Sequence, residues 1–226
     1  MTVLPLRAVI FDLDGLLVDS EPLAAKAMAT FLASYGIAVN PATQRRMLGR
    51  RLSEAMAIAR EAYALPAPLE RLTEQYSEAR KAALRGSVTA MPGAAEILRT
   101  LREAGIPIAL ATSGMRSHAD ISLAETGLAE LFDVEVTGDD VTRGKPAPDL
   151  FLLTAERLGV EPSHAVVLED SPLGVAAAIA AGMRVIAVQK SGDSMPRFDI
   201  TPTWQVPTLD EARHVLIDQI NVKSLE

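Results

Sequence analysis

Two hydrophobic rhythms alternate along this chain. Five short stretches, Ala8–Phe11, Ile106–Ala111, Val134–Thr137, Ala165–Leu168 and Val185–Val188, are apolar and rich in β-branched residues. Several run on without a polar interruption, the pattern of parallel strands covered on both faces. Helical periodicity surrounds the later four. Gly93–Ala104 precedes the second stretch, His118–Ala129 and Pro148–Leu158 follow strands, and Leu173–Ala181 joins the last two. The alternation predicts an α/β fold with a doubly wound parallel sheet of Rossmann-like form.

The interval between the first two stretches breaks this rhythm. Residues 16–91 carry only helical patterns: "PLAAKAMATFLASYG", "PATQRRMLGRRLSEAMAIAREAY" and "PLERLTEQYSEARKAALRG". Turn signals fall at Gly36, Pro41, the "LPAP" of 65–68 and Gly86. The expected organisation is an α/β core from residues 1–15 and 92–226, interrupted by a helical domain of residues 16–91. That insertion follows directly on the loop after the first strand, so it can lie over that loop. The tail from about Lys190 reads as loop, up to a short helix near Asp210–Ile217.

Composition narrows the class. The 226 residues are 49% apolar, enough for a sizeable core, and the net charge is −7 with a pI near 5.1. An acidic balance of this kind argues against general affinity for nucleic acid or anionic membranes and suits a soluble cytoplasmic protein. Without cysteine there is no disulfide, thiolate nucleophile or zinc–thiolate site. No signal peptide is read at the N-terminus, where Arg7 and Asp12 interrupt the only candidate run. Nothing approaches the roughly 20 apolar residues of a membrane span; "GVAAAIAAGMRVIAV" comes nearest, and Arg184 sits inside it.

Chemistry concentrates where the strands end. Open α/β sheets bind ligands beyond the carboxyl ends of their strands, near a switch in strand order. The first strand delivers Asp12 and Asp14 there, the second Thr112 and Ser113, and the fourth Glu169 and Asp170; the loop after the third carries Lys145. Four acids at one edge call for a cation. Oxygen ligands alone favour a hard one, Mg²⁺ before Ca²⁺ or Mn²⁺. Asp12 can then act as a carboxylate nucleophile toward phosphorus, and Asp14 as the acid that protonates the leaving alkoxide and the base that deprotonates water. Thr112 and nearby backbone N–H groups suit the phosphoryl oxygens, and Lys145 their charge. Ser113 is either a second phosphoryl contact or a helix cap.

The chain resembles the haloacid dehalogenase superfamily of phosphohydrolases in four strings: "DLDGLLVDS", "LATS", "GKPAPD" and "VLEDSPLGVAAAIAAGM". Their order and spacing match the family's motifs over roughly residues 7–188. The resemblance implies that Asp12 is nucleophile and metal ligand, and that Asp14 is the general acid/base, ligating metal through its carbonyl. It further implies that Thr112 and Lys145 bind phosphoryl, and that Asp170, with Glu169 close by, completes a Mg²⁺ site. The helical insertion looks like the cap of the β-phosphoglucomutase-like subgroup. Such an enzyme hydrolyses small phosphorylated metabolites, sugar or sugar-like monophosphates foremost, through a phospho-aspartyl intermediate. A self-contained capped fold is compatible with a monomer.

The alternative within the family is a mutase-type phosphotransferase. Against it, Ala24 in "SEPLAAKAM" stands where the mutases, and many of the phosphatases, carry a cap histidine. Asp14 itself disfavours dehalogenation, because halide leaves without a proton. Among the remaining polar residues, Asp19 and Ser20 are expected to cap the first inserted helix. His118, His164 and His214 lie outside the motifs and read as ordinary surface or half-buried residues. Arg45, Arg46, Arg50 and Arg51 form a basic cluster that reads first as a solvated helix face. Bidentate contact from Arg50 or Arg51 to a second anionic group of the substrate is the functional expectation.

Overall fold

The computed structural model describes residues 4–189 and 200–221. Its centre is a parallel six-stranded sheet of β1 (Ala8–Phe11), β2 (Ile108–Ala111), β3 (Val134–Val136), β4 (Ala165–Glu169), β5 (Arg184–Val188) and β6 (Trp204–Val206), ordered 3-2-1-4-5-6. The chain builds outward from β1 to β3 on one side, then returns to build β4 to β6 on the other. The order therefore reverses beside β1, between β2 and β4, where a ligand crevice is expected.

Both faces are covered, as the unbroken apolar strands demand. Val9, Phe11, Ile108, Leu110, Val166 and Leu168 pack on one side against α5 (Ala94–Glu103), α6 (Arg116–Thr126) and α9 (Leu209–Asn221). Ile10, Ala109, Ala111, Val167 and Val185 pack on the other against α7 (Asp149–Leu158) and α8 (Pro172–Ala180). No described helix is long and apolar enough to cross a membrane.

The insertion is helical throughout: α1 (Glu21–Ala33), α2 (Pro41–Met47), α3 (Leu52–Ala62) and α4 (Leu69–Leu84). It has its own apolar centre, in which Met28, Phe31, Leu32, Leu52, Met56, Leu72 and Tyr76 meet. Phe31 stands edge-on to Tyr76, with ring centroids 5.7 Å apart. The two chain crossings between insertion and core run side by side. Asp19 N–H donates to Thr89 O, Met91 N–H donates to Leu17 O, and Val18 bridges Ala90 antiparallel.

Several expected boundaries move. Leu16, Leu17, Val18, Leu84 and Val88, at the two ends of the insertion, pack into the core cluster. The stretch 41–63 is two helices rather than one, because Leu48 is extended and Gly49 turns at φ +71°. The second strand begins at Ile108 rather than Ile106, whose N–H instead closes the end of α5 on Leu101 O. Strand β6 was not expected from its three residues between "TPT" and "PT". The predicted loop from Lys190 lies, up to residue 199, outside the described residues.

Candidate active site

The crevice beside β1 is where the sequence-predicted residues converge. Asp12 and Asp14 follow β1, Thr112 and Ser113 follow β2, Glu169 ends β4 with Asp170 after it, and Lys145 reaches in from the loop between β3 and α7. Asp12, Asp14, Thr112, Ser113, Lys145 and Asp170 all line one cavity of about 890 Å³ between the sheet and the insertion.

Lys145 is 1% exposed and sits among carboxylates. Its Nζ donates to Asp12 Oδ1 (2.6 Å), Glu169 Oε1 (2.5 Å) and Ala111 O (3.3 Å), which engages all three of its N–H bonds. Burial opposes its charge, but the two carboxylates outweigh burial and raise its pKa. Glu169 is occupied at both oxygens, since Ser171 donates to Oε2 from its N–H (2.9 Å) and its hydroxyl (3.0 Å). Glu169 thus serves as counter-charge to Lys145.

Asp12, Glu169 and Asp170 each offer an oxygen within 4.8 Å of the others. Burial first, and then the neighbouring carboxylates, push Asp170 well above the usual carboxylate range. Burial pushes Asp12 up to about 7, with Glu169 adding to the rise and Lys145 opposing it. One ammonium is insufficient to let these acids ionise together. An oxygen-only set crowded in this way fits a hard divalent cation. The approach is close enough that a Cβ on Gly15, which has φ +87°, would stand 2.2 Å from Asp170 Oδ2. Only glycine can follow Asp14 here.

Asp14 faces elsewhere, and its partners are those the sequence did not reveal. Arg80, from α4 of the insertion, donates through Nη2 to Asp14 Oδ1 at 2.7 Å, and Ser20 Oγ donates to the same oxygen at 2.5 Å. Burial alone would raise the Asp14 carboxyl, yet the Arg80 guanidinium and the Ser20 hydroxyl hold it below its ordinary value. Ser20 does occupy the N-cap position of α1, but its side chain makes no capping bond there; the hydroxyl is given to Asp14 instead. His118 is also not a surface residue. It is 3% exposed, lines the cavity, and sets Nε2 3.0 Å from the Ser77 hydroxyl of α4. Burial, reinforced by Arg80, lowers its pKa to about 4, so it is a neutral contact between core and insertion at ordinary pH. No spacing rule links Ser20, Arg80 and His118 to the motifs; only the docking of the helices does.

Thr112 Oγ1 accepts from Gly114 N–H at 3.0 Å, which leaves its hydroxyl proton for a ligand. Ser113 Oγ has no hydrogen-bond partner among the described residues. The basic cluster divides. Arg45, Arg46 and Arg50 line the cavity, with Arg50 Nε held on Arg46 O at 3.0 Å. Arg51 is not on that lining and points to the core loop before Lys145.

Comparison with known proteins points to one family. A family model described as haloacid dehalogenase-like hydrolase matches residues 9–188. A phosphorylated carbohydrates phosphatase of Thermotoga maritima is 39% identical over 181 residues, 80% of this chain and 84% of that one. Hexitol phosphatase A of Escherichia coli is 38% identical over 196 residues, 85% and 87% of the two chains. The crystal structure of a β-phosphoglucomutase from Clostridium difficile superposes with a TM-score of 0.83 over 98% of this chain and all of its own. At 19% identity, that last likeness is one of fold.

Proposed function

Because the chain belongs to the haloacid dehalogenase-like hydrolase family, as a phosphoric monoester hydrolase of the β-phosphoglucomutase-like subgroup, we propose that it hydrolyses sugar or sugar-like monophosphates through a phospho-aspartyl enzyme with Mg²⁺ as cofactor. The observation that carries the reading is the division of labour between two neighbouring carboxylates. Asp12 lies on the cavity floor with Oδ1 taken by Lys145 and Oδ2 accepting no hydrogen bond from the described residues. Asp14 is held by a separate pair of partners.

In this mechanism Asp12 Oδ2 forms a bond to phosphorus as the ester oxygen leaves, taking a proton from Asp14. Asp14, now ionised, accepts a proton from water, and the resulting hydroxide displaces Asp12 from phosphorus to release inorganic phosphate. The Arg80 and Ser20 contacts favour the ionised Asp14 of the second half-reaction, so loading it with a proton for the first requires the Arg80 contact to loosen. Thr112 and backbone N–H groups orient the phosphoryl oxygens. Lys145 sets a positive charge beside them, between Asp12 and Glu169. Asp12, Asp170 and the Asp14 carbonyl would hold Mg²⁺, which supplies charge neutralisation for the transferring phosphoryl group. The helices of residues 16–91 act as the cap that excludes bulk water and selects the leaving group. Arg50, with Arg45 and Arg46, gives that cap a cationic end suited to a second anionic group. A cytoplasmic location fits substrates of this class.

The mutase reading is not favoured, since the relatives named above at 38–39% identity are phosphatases and Ala24 supplies no cap imidazole. A phosphate-release screen across phosphorylated metabolites, with and without EDTA, tests the proposal. Free phosphate formed only when metal is present supports it. Glucose 6-phosphate formed from β-glucose 1-phosphate with a trace of bisphosphate would replace it with the mutase.

Two further outcomes follow. Arg80→Gln removes the cation that lowers Asp14, so the Asp14 pKa rises and the acidic limb of the kcat–pH profile moves to higher pH. At neutral pH kcat falls roughly 10–100-fold, part of what a general acid/base supplies; an unmoved limb would separate Arg80 from Asp14 chemistry. Mg²⁺ at about 100 times its Kd raises Tm by roughly 5–10 °C at pH 8. At pH 6 the same Mg²⁺ raises Tm less, because Asp12, pushed up to about 7, must lose its proton before it can ligate. Asp170→Asn should remove the Mg²⁺ effect in the same thermal melts.

A further inference from the structure

Arg51, turned away from the cavity, makes a contact of its own. Its Nη1 donates to Thr142 O at 2.5 Å, joining the insertion to the core across 91 residues of sequence. Its aliphatic stem lies over Gly144, where an added Cβ would come within 2.8 Å of both Arg51 Cγ and Cδ. Two positions earlier on the same loop, Gly49 sits against Ser171, where an added Cβ would be 3.1 Å from Oγ. Ser171 is the residue that holds Glu169 Oε2. One short stretch of the insertion, residues 49–51, thus rests on two core turns, the one that leads into Lys145 and the one that follows Asp170.

We propose that Arg51 is a positioning residue. By hooking the Thr142 carbonyl it fixes the turn ahead of Lys145, so that the ammonium reaches its working place only when the insertion is seated. The acceptor is a backbone carbonyl, so residue 142 needs no particular side chain; what the contact does need is the missing Cβ at Gly144. On the core side Arg143 pairs with Asp149 through Nε and Nη2, each at 2.9 Å, and on the insertion side Glu54 also stands against Gly144. Arg51 touches no substrate. The inference rests on reading the site as a phosphatase centre, but the hook itself can be measured without turnover.

The test compares Arg51→Ala, Arg51→Lys and Gly144→Ala with the wild-type protein, using any phosphate ester the wild type hydrolyses, together with hydrogen exchange of the amides in residues 142–147. Arg51→Ala should lower kcat roughly tenfold or more, as loss of positioning does. Its KM should change less, its Tm should stay near wild type, and its turn should exchange faster. Lysine at 51 can still reach a single carbonyl and should restore part of kcat. Gly144→Ala should move kcat and exchange in the same direction as Arg51→Ala by displacing the arginine stem. Unchanged kcat and exchange in Arg51→Ala overturn the proposal. So does a loss confined to KM, which marks a substrate contact, or one matched by a general fall in Tm without lysine rescue. If the wild type hydrolyses no ester, the phosphatase reading fails, while the exchange comparison still decides the hook.

Discussion

Asp12→Asn abolishes turnover, with kcat falling at least about 10³-fold, while the protein stays folded. The amide is nearly the shape of the carboxylate but cannot form the mixed anhydride with phosphorus. Stability should not suffer. Asp12 is a buried acid whose pKa is pushed up to about 7, meaning that its charge is disfavoured where it lies. Replacing it with a neutral group relieves the crowding against Glu169 and Asp170, and Lys145 keeps Glu169 as a partner. The metal-free Tm should therefore be unchanged or higher. Steady-state phosphate release and a thermal melt check the two halves. Retention of more than a few per cent of activity would sink the covalent mechanism.

Lys145→Met has the opposite profile, with stability lost together with activity. The substitution keeps an apolar stem in a site that is 1% exposed and removes the only ammonium between Asp12 and Glu169. Deleting one member of a buried charge pair costs about 3–5 kcal/mol, because its partners stay buried without compensation. For a chain of this size that is a fall in Tm of roughly 6–20 °C. The deficit has a pH signature. Lys145 is charged throughout, so its loss hurts most above the Asp12 pKa of about 7, where Asp12 is ionised, and least below it, where Asp12 takes up a proton. The Tm gap should be largest near pH 8 and narrow toward pH 5 in paired melts. A gap that is absent, or that widens on acidification, would show that Lys145 does not balance these carboxylates.

The contrast between these residues and Arg80 explains what could be read from sequence. Asp12, Thr112 and Glu169 are delivered by short apolar strands, and parallel packing brings successive strand ends to one edge. Their convergence therefore follows from local pattern plus a topological rule. Arg80 lies 66 residues from Asp14 and reaches it through the docking of α4 over the sheet. Helical periodicity says that α4 forms but not where its polar face lands. Ser20 shows the same limit on a smaller scale, since its position was legible as an N-cap and its hydroxyl went to the nearby carboxylate instead. The division at Gly49 was missed because apolar and basic residues on either side of it continue a helical rhythm. Strand β6 was missed because three residues are too few to establish a period.

The antiparallel bridge of Val18 with Ala90 means that the chain leaves the sheet and comes back through a single doorway. Everything between those two residues can be lengthened, trimmed or exchanged without re-threading a strand, because the doorposts stay where the core put them. Selection can thus reshape the passage without disturbing the sheet, within the limits set by Ser20, Arg51 and Arg80, which the passage lends to the core. A chimera carrying a relative's passage between the same posts would keep the sheet and its strand-end acids, and would turn over only if that passage brought counterparts of Arg51 and Arg80 to the same places.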